Sequence, residues 1–215
     1  MKSLLIDTSN KVISLAINDD GINIAEINAN VARPHSETLM VYISHLFDYA
    51  GMNKSDIDRI IVARGPGSYT GVRIGVTVAK TLAYSLKVEL YSVSSLFVLA
   101  ASSNQEGAVA SLFDARRGNV FAAAYKFHGD KFETIQAPAH MAFDELKEKM
   151  EKDDVIFYGN STEQFKNIEG FSHLTPRISN VERYDEALVQ EDVHGIVPEY
   201  LRVSEAERNW MDKNQ

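Results

Sequence analysis

The sequence predicts an α/β protein built from two related halves, and three observations support this fold class. Over residues 1–102, short apolar and β-branched runs alternate with helical patterns in the order βββαβαβα. Residues 111–114 then repeat the pattern of residues 4–7, a mostly apolar run that ends in an aspartate. The 215-residue chain is 45% hydrophobic, which is enough to fill a substantial core. We therefore predict a first lobe at residues 1–102 and a shortened second lobe at residues 103–215.

The first half contains the strands and helices of one complete unit. Apolar and β-branched runs predict the strands, and residues 19–21 supply a turn between two of them. A good N-cap at Ser36 and a terminating Gly51 bound the first helix. The predicted strands are residues 4–6, 12–17, 22–27, 57–63 and 88–93, and the predicted helices are residues 36–50, 71–86 and 96–101.

The second half begins in the same order and then becomes less complete. Strands are predicted at residues 111–114, 120–127, 132–135 and 155–158, and an amphipathic helix at residues 142–150. No counterpart of the long helix 71–86 follows Gly159. The chain ends in a polar segment with a turn at Pro198 and a helix-forming stretch at residues 204–210. The second lobe is therefore predicted to be the shortened copy.

The most informative local feature is the run Gly65–Gly75, called here the glycine run, which joins a predicted strand to a predicted helix. Backbone N–H groups and the positive end of a helix at such a junction favour anions, so Gly67 and Ser68 are candidate phosphate contacts. The run lacks the Walker pattern, and the dinucleotide pattern needs a glycine where Thr70 stands. Phosphate binding here rests on the helix terminus alone.

A second interpretation of the same residues is structural. Small residues recur at every fourth position of helix 71–86, at Gly71, Gly75, Ala79 and Ala83. One stripe of the helix then carries almost no side chain, which lets another backbone approach closely. Because the other faces of this helix are also apolar, we expect neighbours on more than one side, and one of them to be another protein.

Two strand-ending carboxylates, Asp7 and Asp114, would face each other across a cleft if the halves pack as a pseudo-twofold pair. In a phosphotransferase such carboxylates orient water or Mg²⁺, and hairpin N–H groups hold phosphate oxygens. The alternative is that Asp7 caps a hairpin and Asp114 pairs with Arg116 or Arg117. The further glycine loop that would grip a nucleotide is poor, since residues 159–161 hold a single glycine. The candidate nucleotide contacts are Asp7, Thr8, Ser9, Gly67, Ser68, Asp114 and Arg116.

The histidine and serine patterns do not indicate a catalytic or metal site. A helix-borne metal pair needs histidines four residues apart, but Leu39 stands four residues after His35. At a helix N-terminus, His35 is expected to be neutral and hydrogen-bonded. Ser68 lacks the flanking glycines of a nucleophile elbow. We therefore assign no catalytic residue and no metal ligand.

Composition sets further limits on function. The chain has no cysteine, which removes disulfides, thiolate catalysis and cysteine-ligated zinc. No secretory pattern follows Met1, so a cytoplasmic location is expected. The formal net charge of -8 opposes autonomous binding to a nucleic-acid backbone, so any RNA is expected to need a basic partner.

Six segments spread over the chain carry a resemblance to a known family. They are residues 5–9, 35–37, 65–75, 94–96, 114–118 and 198–202. With these segments the chain is similar to the TsaB (YeaZ) family, the inactive-looking paralogues within the bacterial tRNA threonylcarbamoyladenosine machinery. The glycine run is the most specific of them, whereas Asp7-Thr8-Ser9 is shared with many sugar-kinase-like and chaperone-like ATPases. Tyr69 and Asn119 depart from the phenylalanine and glutamate that are common in the family.

The resemblance implies an actin-like ATPase (ASKHA) fold with two ribonuclease-H-like lobes. It also implies pairing with TsaD, the paralogue that holds the catalytic metal, and that TsaE, an ATPase, joins the pair. TsaD would transfer a threonylcarbamoyl group to the adenosine beside the tRNA anticodon, and this chain would be a non-catalytic scaffold. The chain would have no intrinsic cofactor, and ATP or ADP with Mg²⁺, like the tRNA, would be bound through the complex.

We predict that the partner surface lies on helices 36–50 and 71–86, in a four-helix contact with equivalent helices of TsaD. Without TsaD the same surface would support a homodimer. A charge at Val76 should then abolish pairing and leave the fold intact. The alternative is that these side chains pack under the protein's own sheet. The predicted interface residues are Leu39, Met40, Ile43, Phe47, Gly71, Val72, Gly75, Val76, Ala79 and Ala83.

Two other function classes stay open. A small-molecule kinase of the same superfamily would use Asp7, Asp114, Gly67 and Ser68 on a nucleotide, and affinity for ATP with Mg²⁺ would favour it. A peptidase would need a nucleophile and a base that the sequence does not identify.

Overall fold

A computed structural model describes residues 1–30, 32–151, 154–160, 165 and 170–201. The described elements follow the predicted order, and three 3₁₀ turns at Lys54–Asp56, Ile178–Arg183 and Asp185–Ala187 accompany them. In chain order the strands and helices are β1 (Lys2–Asp7), β2 (Val12–Asp19), β3 (Ile22–Asn30), α1 (His35–Ala50), β4 (Arg59–Ala63), α2 (Tyr69–Leu86), β5 (Glu89–Val93), α3 (Ser95–Ala101), β6 (Gly107–Asp114), β7 (Asn119–His128), β8 (Lys131–Ala142), α4 (Phe143–Lys149), β9 (Val155–Asn160), β10 (Phe171–His173) and β11 (Val189–Glu191).

The chain forms two sheets, and five strands of the first sheet follow the same order as the five strands of the second. The first sheet runs β11-β5-β4-β1-β2-β3 and the second runs β10-β9-β6-β7-β8. Strand β1 pairs antiparallel with β2 and parallel with β4, and β6 pairs in the same way with β7 and β9. The internal repeat predicted from the two aspartate-ending strands is therefore confirmed.

Alternate residues of β1 face two different cores. Leu4 and Ile6 pack beneath α1 and α2, whereas Leu5 lies in the core between the two sheets, together with α3. Burial on both faces explains why β1 is an unbroken apolar run instead of an alternating one. A third core lies under α4 on the outer face of the second sheet.

The core between the sheets is rich in aromatic rings. Phe97 of α3 meets Tyr125 of β7 edge to face, with ring centroids 5.0 Å apart and an interplanar angle of 85°. It meets Tyr184, which follows a 3₁₀ turn near the C-terminus, at 5.5 Å and 85°. Such edge-to-face pairs stabilise the core beyond the apolar area that they bury, and they favour one relative orientation of the rings. Helix α3 is thus held between both sheets and the C-terminal segment.

The C-terminal part of the chain returns to the first lobe, unlike the predicted division at residue 103. Strand β11 pairs antiparallel with β5 at the edge of the first sheet. Just before it, Ile178 N donates to Ser14 Oγ of β2 at 2.9 Å, and beyond it Ile196 lies in the core beneath α1 and α2. The first lobe therefore contains both ends of the described chain. The helix predicted at residues 204–210 lies outside the described residues.

A buried ion pair anchors this return. Glu182 is 8% exposed, and its Oε1 accepts from Arg59 Nη2 at 2.7 Å and from the hydroxyl of Ser3. Arg59 belongs to β4 and Ser3 to β1, so the second half is tied to the centre of the first sheet. Within the described ranges, no helix is both long enough and apolar enough to cross a bilayer.

Candidate functional site

The glycine run forms the turn from β4 into α2. The Gly65-Pro66 peptide bond is cis, and Gly65 has a φ of 117°, a value that disfavours side chains. Ser68 caps α2, because its Oγ accepts from Gly71 N at 3.2 Å. The strand, loop and helix predicted at this position are present, and the helix begins at Tyr69, two residues before the predicted start.

Glycines of this run face the β1–β2 hairpin of the protein itself. A Cβ at Gly71 would lie closer than 3.0 Å to Thr8 O, and one at Gly75 equally close to Thr8 Oγ1. A Cβ at Gly67 would meet Ser9 O in the same way. Thr8 Oγ1 also donates to Gly71 O at 2.7 Å. The small-residue stripe thus admits a second backbone, and that backbone is the chain's own hairpin.

These contacts seal the hairpin that carries three of the candidate nucleotide residues. Asp7 and Thr8 are fully buried and Ser9 is 1% exposed. Ser68 N donates to Ser9 O at 2.6 Å, and Gly71 N is occupied by Ser68 Oγ. Two N–H groups that the sequence offered to a phosphate are therefore bonded to protein oxygens.

Asp7 is a buried carboxyl that is only half satisfied. Its Oδ1 accepts from Ser9 N at 2.8 Å, whereas its Oδ2 meets no hydrogen-bond donor in the described part of the chain. Burial raises the pKa of Asp7 to about 6, although bonds from Ser9 and the nearby His35 ring oppose the shift. This arrangement agrees with the capping alternative for Asp7.

His35, the first residue of α1, holds that helix to the same hairpin. Its Nε2 donates to Asn10 O at 2.7 Å, as expected for a hydrogen-bonded histidine at this position. Searching the described ranges finds no group of three or more histidine, aspartate and glutamate side chains arranged to hold a metal ion.

The matching hairpin of the second lobe is open instead of sealed. Asp114 is exposed, and its Oδ1 accepts from Arg116 N at 2.7 Å. Arg116 and Arg117 are exposed and have left-handed φ angles of 67° and 55°. Neither guanidinium forms an ion pair with a described residue, so the pairing alternative for Asp114 is not seen.

Two residues of the candidate nucleotide loop 159–161 belong to a strand of the second sheet. Gly159 and Asn160 are buried at the end of β9, and Asn160 Nδ2 donates to Leu174 O at 3.0 Å. Ser161 lies outside the described residues.

Nearly all the predicted interface residues lie in the protein's own core. Met40 is 45% exposed, but the other predicted interface residues are buried between the two helices and the first sheet. Val76 is only 3% exposed, so a charge there would be buried and would destabilise the fold. The test predicted at Val76 is therefore wrong. The buried members are Leu39, Ile43, Phe47, Gly71, Val72, Gly75, Val76, Ala79 and Ala83.

The outward faces of α1 and α2 carry a different apolar set. On α1, Met40, Val41 and Tyr49 are 45%, 50% and 72% exposed. On α2, Tyr84 is 66% exposed. Half-buried apolar residues extend this surface along α2 at Ile74, Val78 and Leu82. Because these three residues are spaced four positions apart, they form a second stripe along the helix. That spacing is the sequence signal from which this face could have been predicted.

The outward face of α2 also carries little charge. Between residues 74 and 86 the single charged residue is Lys80, whose Nζ donates to His194 O at 3.1 Å and to Ile196 O at 3.2 Å. The exposed positions around it are small or aromatic, namely Thr77, Thr81, Tyr84 and Ser85. We call the outward faces of α1 and α2, with Met40, Val41, Ile74, Thr77, Val78, Thr81 and Leu82 at their centre, the outer helix face.

The C-terminal segment 198–201 packs on the glycine run, a contact that sequence reasoning missed. Glu199 N donates to Arg64 O at 2.7 Å, and a Cβ on Gly65 would lie 2.5 Å from Glu199 O. Both segments belong to the resemblance, but nothing in their local patterns predicts that they touch.

Aromatic rings complete this contact. Tyr200 stacks on Tyr69 with centroids 5.0 Å apart, and the Arg73 guanidinium lies 3.9 Å from the centroid of Tyr69. Arg73 Nε also donates to Tyr200 Oη at 2.6 Å. The start of α2 is therefore covered by residues from the C-terminal end of the described chain.

Comparisons with known proteins agree with this architecture. A family model described as "TsaD: tRNA N6-adenosine threonylcarbamoyltransferase" matches residues 26–210. The tRNA threonylcarbamoyladenosine biosynthesis protein TsaB of Bacillus subtilis (strain 168) is 36% identical and aligns over 100% of both chains. TsaB of Escherichia coli (strain K12) is 32% identical over 64% of this chain and 63% of its own.

Two solved structures from Pseudomonas aeruginosa share the fold. One, described as YeaZ, has a TM-score of 0.76 at 25% identity and covers 93% of this chain and 99% of its own. The other, described as an uncharacterized protein with similarity to peptidase YEAZ, has a TM-score of 0.80 at 24% identity and covers 94% and 99%. The chain has two sheets with a shared strand order, and its sequence matches TsaB of Bacillus subtilis over its full length, so the chain belongs to the TsaB (YeaZ) family.

Proposed function

We propose that this chain is a non-catalytic, partner-binding subunit in tRNA threonylcarbamoyladenosine biosynthesis. Its relatives from Bacillus subtilis and Escherichia coli are named for that biosynthesis. The family model that spans residues 26–210 is described as the threonylcarbamoyltransferase TsaD. Similarity to both descriptions supports a subunit that pairs with its own catalytic paralogue.

The observation that carries this proposal is the outer helix face. Exposed helix faces of soluble proteins are normally charged or polar, whereas the centres of protein interfaces are depleted in charge. Here Val41 is 50% exposed on α1, and α2 has one charged residue between positions 74 and 86. An exposed surface of this kind is typical of a site for another protein.

The chemistry of this face fits a helical partner. The exposed threonines at positions 77 and 81 are small enough for a second helix to approach, and the half-buried Ile74 and Val78 supply apolar ridges. TsaD, being a paralogue, would present equivalent helices, which makes a four-helix contact the expected geometry. In the absence of TsaD we expect the same face to support a weaker homodimer.

The sealed hairpin supports a role without phosphoryl transfer. A kinase would need Asp7 and the N–H groups around Ser68 to reach a nucleotide, but these groups are buried against the hairpin and α2. No observation favours the peptidase alternative. We further propose that TsaE, ATP or ADP with Mg²⁺, and tRNA meet this chain only within the complex, in the cytoplasm.

The test uses charges on the outer helix face. Val41→Glu combined with Thr77→Glu should abolish the complex with the cognate TsaD on size-exclusion chromatography with light scattering, because two carboxylates would be desolvated there. Both positions are exposed, so the free energy of unfolding should stay within about 0.5 kcal/mol of wild type. The matched control is Val189→Glu, which introduces a single carboxylate at a 49% exposed valine on the edge strand β11, outside both helices.

The same variants should separate binding from chemistry. Wild type and V189E should restore threonylcarbamoyladenosine formation when mixed with TsaD and TsaE, and the double variant should not. If the folded double variant still forms the heterodimer, the outer helix face is not the partner surface. Formation of the modification by this chain without TsaD would overturn the non-catalytic role.

A further inference from the structure

The two lobes differ at equivalent hairpins, and this inference, which rests on the proposed function, starts from that difference. In the first lobe the hairpin after β1 is buried at Thr8 and Ser9, where it packs against α2, is half-buried at Asn10 and is exposed at Lys11. In the second lobe the hairpin after β6 is exposed from Asp114 to Gly118, apart from the buried Ala115. The repeat therefore keeps one of its two hairpins accessible.

The open hairpin is held in one conformation by its own hydrogen bonds. Asp114 Oδ1 accepts from Arg116 N at 2.7 Å, and Ala115 N donates to Asn119 O at 3.0 Å. Asn119 Nδ2 lies 3.4 Å from Arg116 O and 3.2 Å from Arg117 O. These bonds fix two consecutive arginines at the tip with left-handed backbones.

Within the described residues, the side chains of the two arginines make no ion pair, although their backbones belong to the hydrogen bonds of the hairpin. Three other arginines of the described chain are paired with carboxylates, namely Arg59 with Glu182, Arg64 with Glu191 and Arg177 with Glu26. Arg116 and Arg117 are exposed and make no ion pair with any described residue, although the chain carries a formal net charge of -8. Asp114 is the nearest acidic residue in sequence, and its Oδ1 is bonded to a backbone N–H.

We propose that the tip of the β6–β7 hairpin, Arg116 and Arg117, contacts the phosphodiester backbone of the tRNA that the complex modifies. Guanidinium groups match phosphate oxygens with two parallel N–H donors and keep their charge at all physiological pH values. Such contacts position an RNA without reading its sequence. The acidic remainder of the chain explains why this contact would act only beside a basic partner.

An RNA backbone fits the tip better than a free nucleotide. A nucleotide polyphosphate is normally enclosed by loops from two sides, and the hairpin that would supply the second side is sealed around Ser9. An exposed hairpin end instead suits an extended polyanion, whose charge continues past both arginines.

The experiment measures tRNA affinity of the complete complex against salt concentration. The variant is Arg116→Gln with Arg117→Gln, and the matched control is Lys126→Gln with Lys131→Gln, which removes two exposed cations at the opposite end of β7. Each lost phosphate contact should lower the slope of log affinity against log salt by about 0.7–0.9. The arginine variant should therefore lose about 1.4–1.8 from the slope and roughly twentyfold to sixtyfold in affinity near 0.1 M salt.

The control should bind tRNA like wild type, and Arg116→Lys with Arg117→Lys should retain the slope because it keeps both charges. Heterodimer formation, measured separately by light scattering, should be normal in all variants. If wild type itself formed no heterodimer, that result would contradict the proposed function and would not test the hairpin. Unchanged affinity and slope in the glutamine variant would overturn this proposal. The proposal would also be overturned if the glutamine variant bound tRNA normally and lost affinity only for ATP, measured by titration, because the arginines would then bind a nucleotide.

Discussion

Substituting Gly75 by alanine tests whether the contact between α2 and the β1–β2 hairpin stabilises the first lobe. The new Cβ would lie closer than 3.0 Å to Thr8 Oγ1 but 3.6 Å from Thr8 Cβ, so the clash is with one hydroxyl. Alanine in a helix interior gains about 1 kcal/mol over glycine. Overpacking costs about 1–3 kcal/mol, and losing the bond from Thr8 Oγ1 to Gly71 O costs about 1 kcal/mol. We expect a net loss of about 1–3 kcal/mol.

Removing the hydroxyl should relieve that clash. Thr8→Ala alone loses the same hydrogen bond and some packing, at about 1–2 kcal/mol. In the double variant the two β-carbons would be in ordinary contact and the helix gain would remain, so the total loss should be about 0–1 kcal/mol. The two substitutions should therefore be non-additive by about 2–4 kcal/mol in the free energy of unfolding.

Urea denaturation of the four proteins measures this coupling. Gly71→Ala is the matched control, because its Cβ would meet the backbone carbonyl of Thr8, which T8A retains. Thr8→Ala should rescue G75A and leave G71A destabilised. If G75A is as stable as wild type, or if T8A rescues both glycine variants alike, the packing of α2 against the hairpin is not the source of the stability.

Two further predictions concern pH. Asp7→Asn keeps the Oδ1 that accepts from Ser9 N but removes a carboxyl whose pKa burial raises from 3.8 to about 6. The free energy of unfolding of wild type should fall as pH rises from 3.8 to 6, whereas that of D7N should not. At pH 7 this effect should amount to on the order of 3 kcal/mol in urea denaturation. Parallel pH profiles would contradict this. Burial raises the pKa of Glu26, but bonds from Arg177 and Ser179 outweigh it and hold the pKa below 4.5. Arg177→Gln should therefore be less stable than wild type at pH 7, with the difference vanishing as Glu26 protonates in acid; a difference independent of pH would refute it.

The repeated strand order could be predicted because it depends on local patterns. Strands β1 and β6 are apolar runs that end in Asp7 and Asp114, and each is followed by a β-rich run at hairpin distance. Burial on both faces makes such a run recognisable without knowledge of its partners. The observed ends of the elements differ from the predicted ends by several residues in places. The strand predicted at residues 132–135, for example, is β8 and spans Lys131–Ala142.

The inward side of α2 could not be predicted in the same way. The helix has one apolar stripe with Val72 and Val76 and another with Ile74 and Val78, and periodicity alone does not say which meets the sheet. The choice depends on Gly71 and Gly75, which pack on Thr8, a residue more than sixty positions earlier in the chain. Small residues were correctly recognised as a device for close approach, but the approaching backbone was the chain's own.

The return of the C-terminal segment was missed for a related reason. Strand β11 has three residues, too few for a pattern of period two to be distinctive, and its partner β5 precedes it by almost a hundred positions. Its anchors are polar: Glu191 accepts from Arg64 Nη1 at 2.9 Å and from Ser92 Oγ at 2.6 Å. Such contacts are specified by three-dimensional neighbours, and no segment taken alone contains them.

The glycine run therefore serves folding first, and this bears on how any variant in it should be interpreted. Gly71 and Gly75 admit the β1–β2 hairpin, and Gly65 admits the backbone of Glu199, so the run joins parts of the chain that are distant in sequence. A substitution there would weaken partner binding by loosening α2, even if no residue of the run touched the partner. Variants at Val41 and Thr77 do not share that ambiguity, because both side chains are exposed on the opposite side of the helices. A loss of complex in those variants at unchanged unfolding free energy would separate the partner surface from the fold, whereas parallel losses of binding and stability in G75A would not.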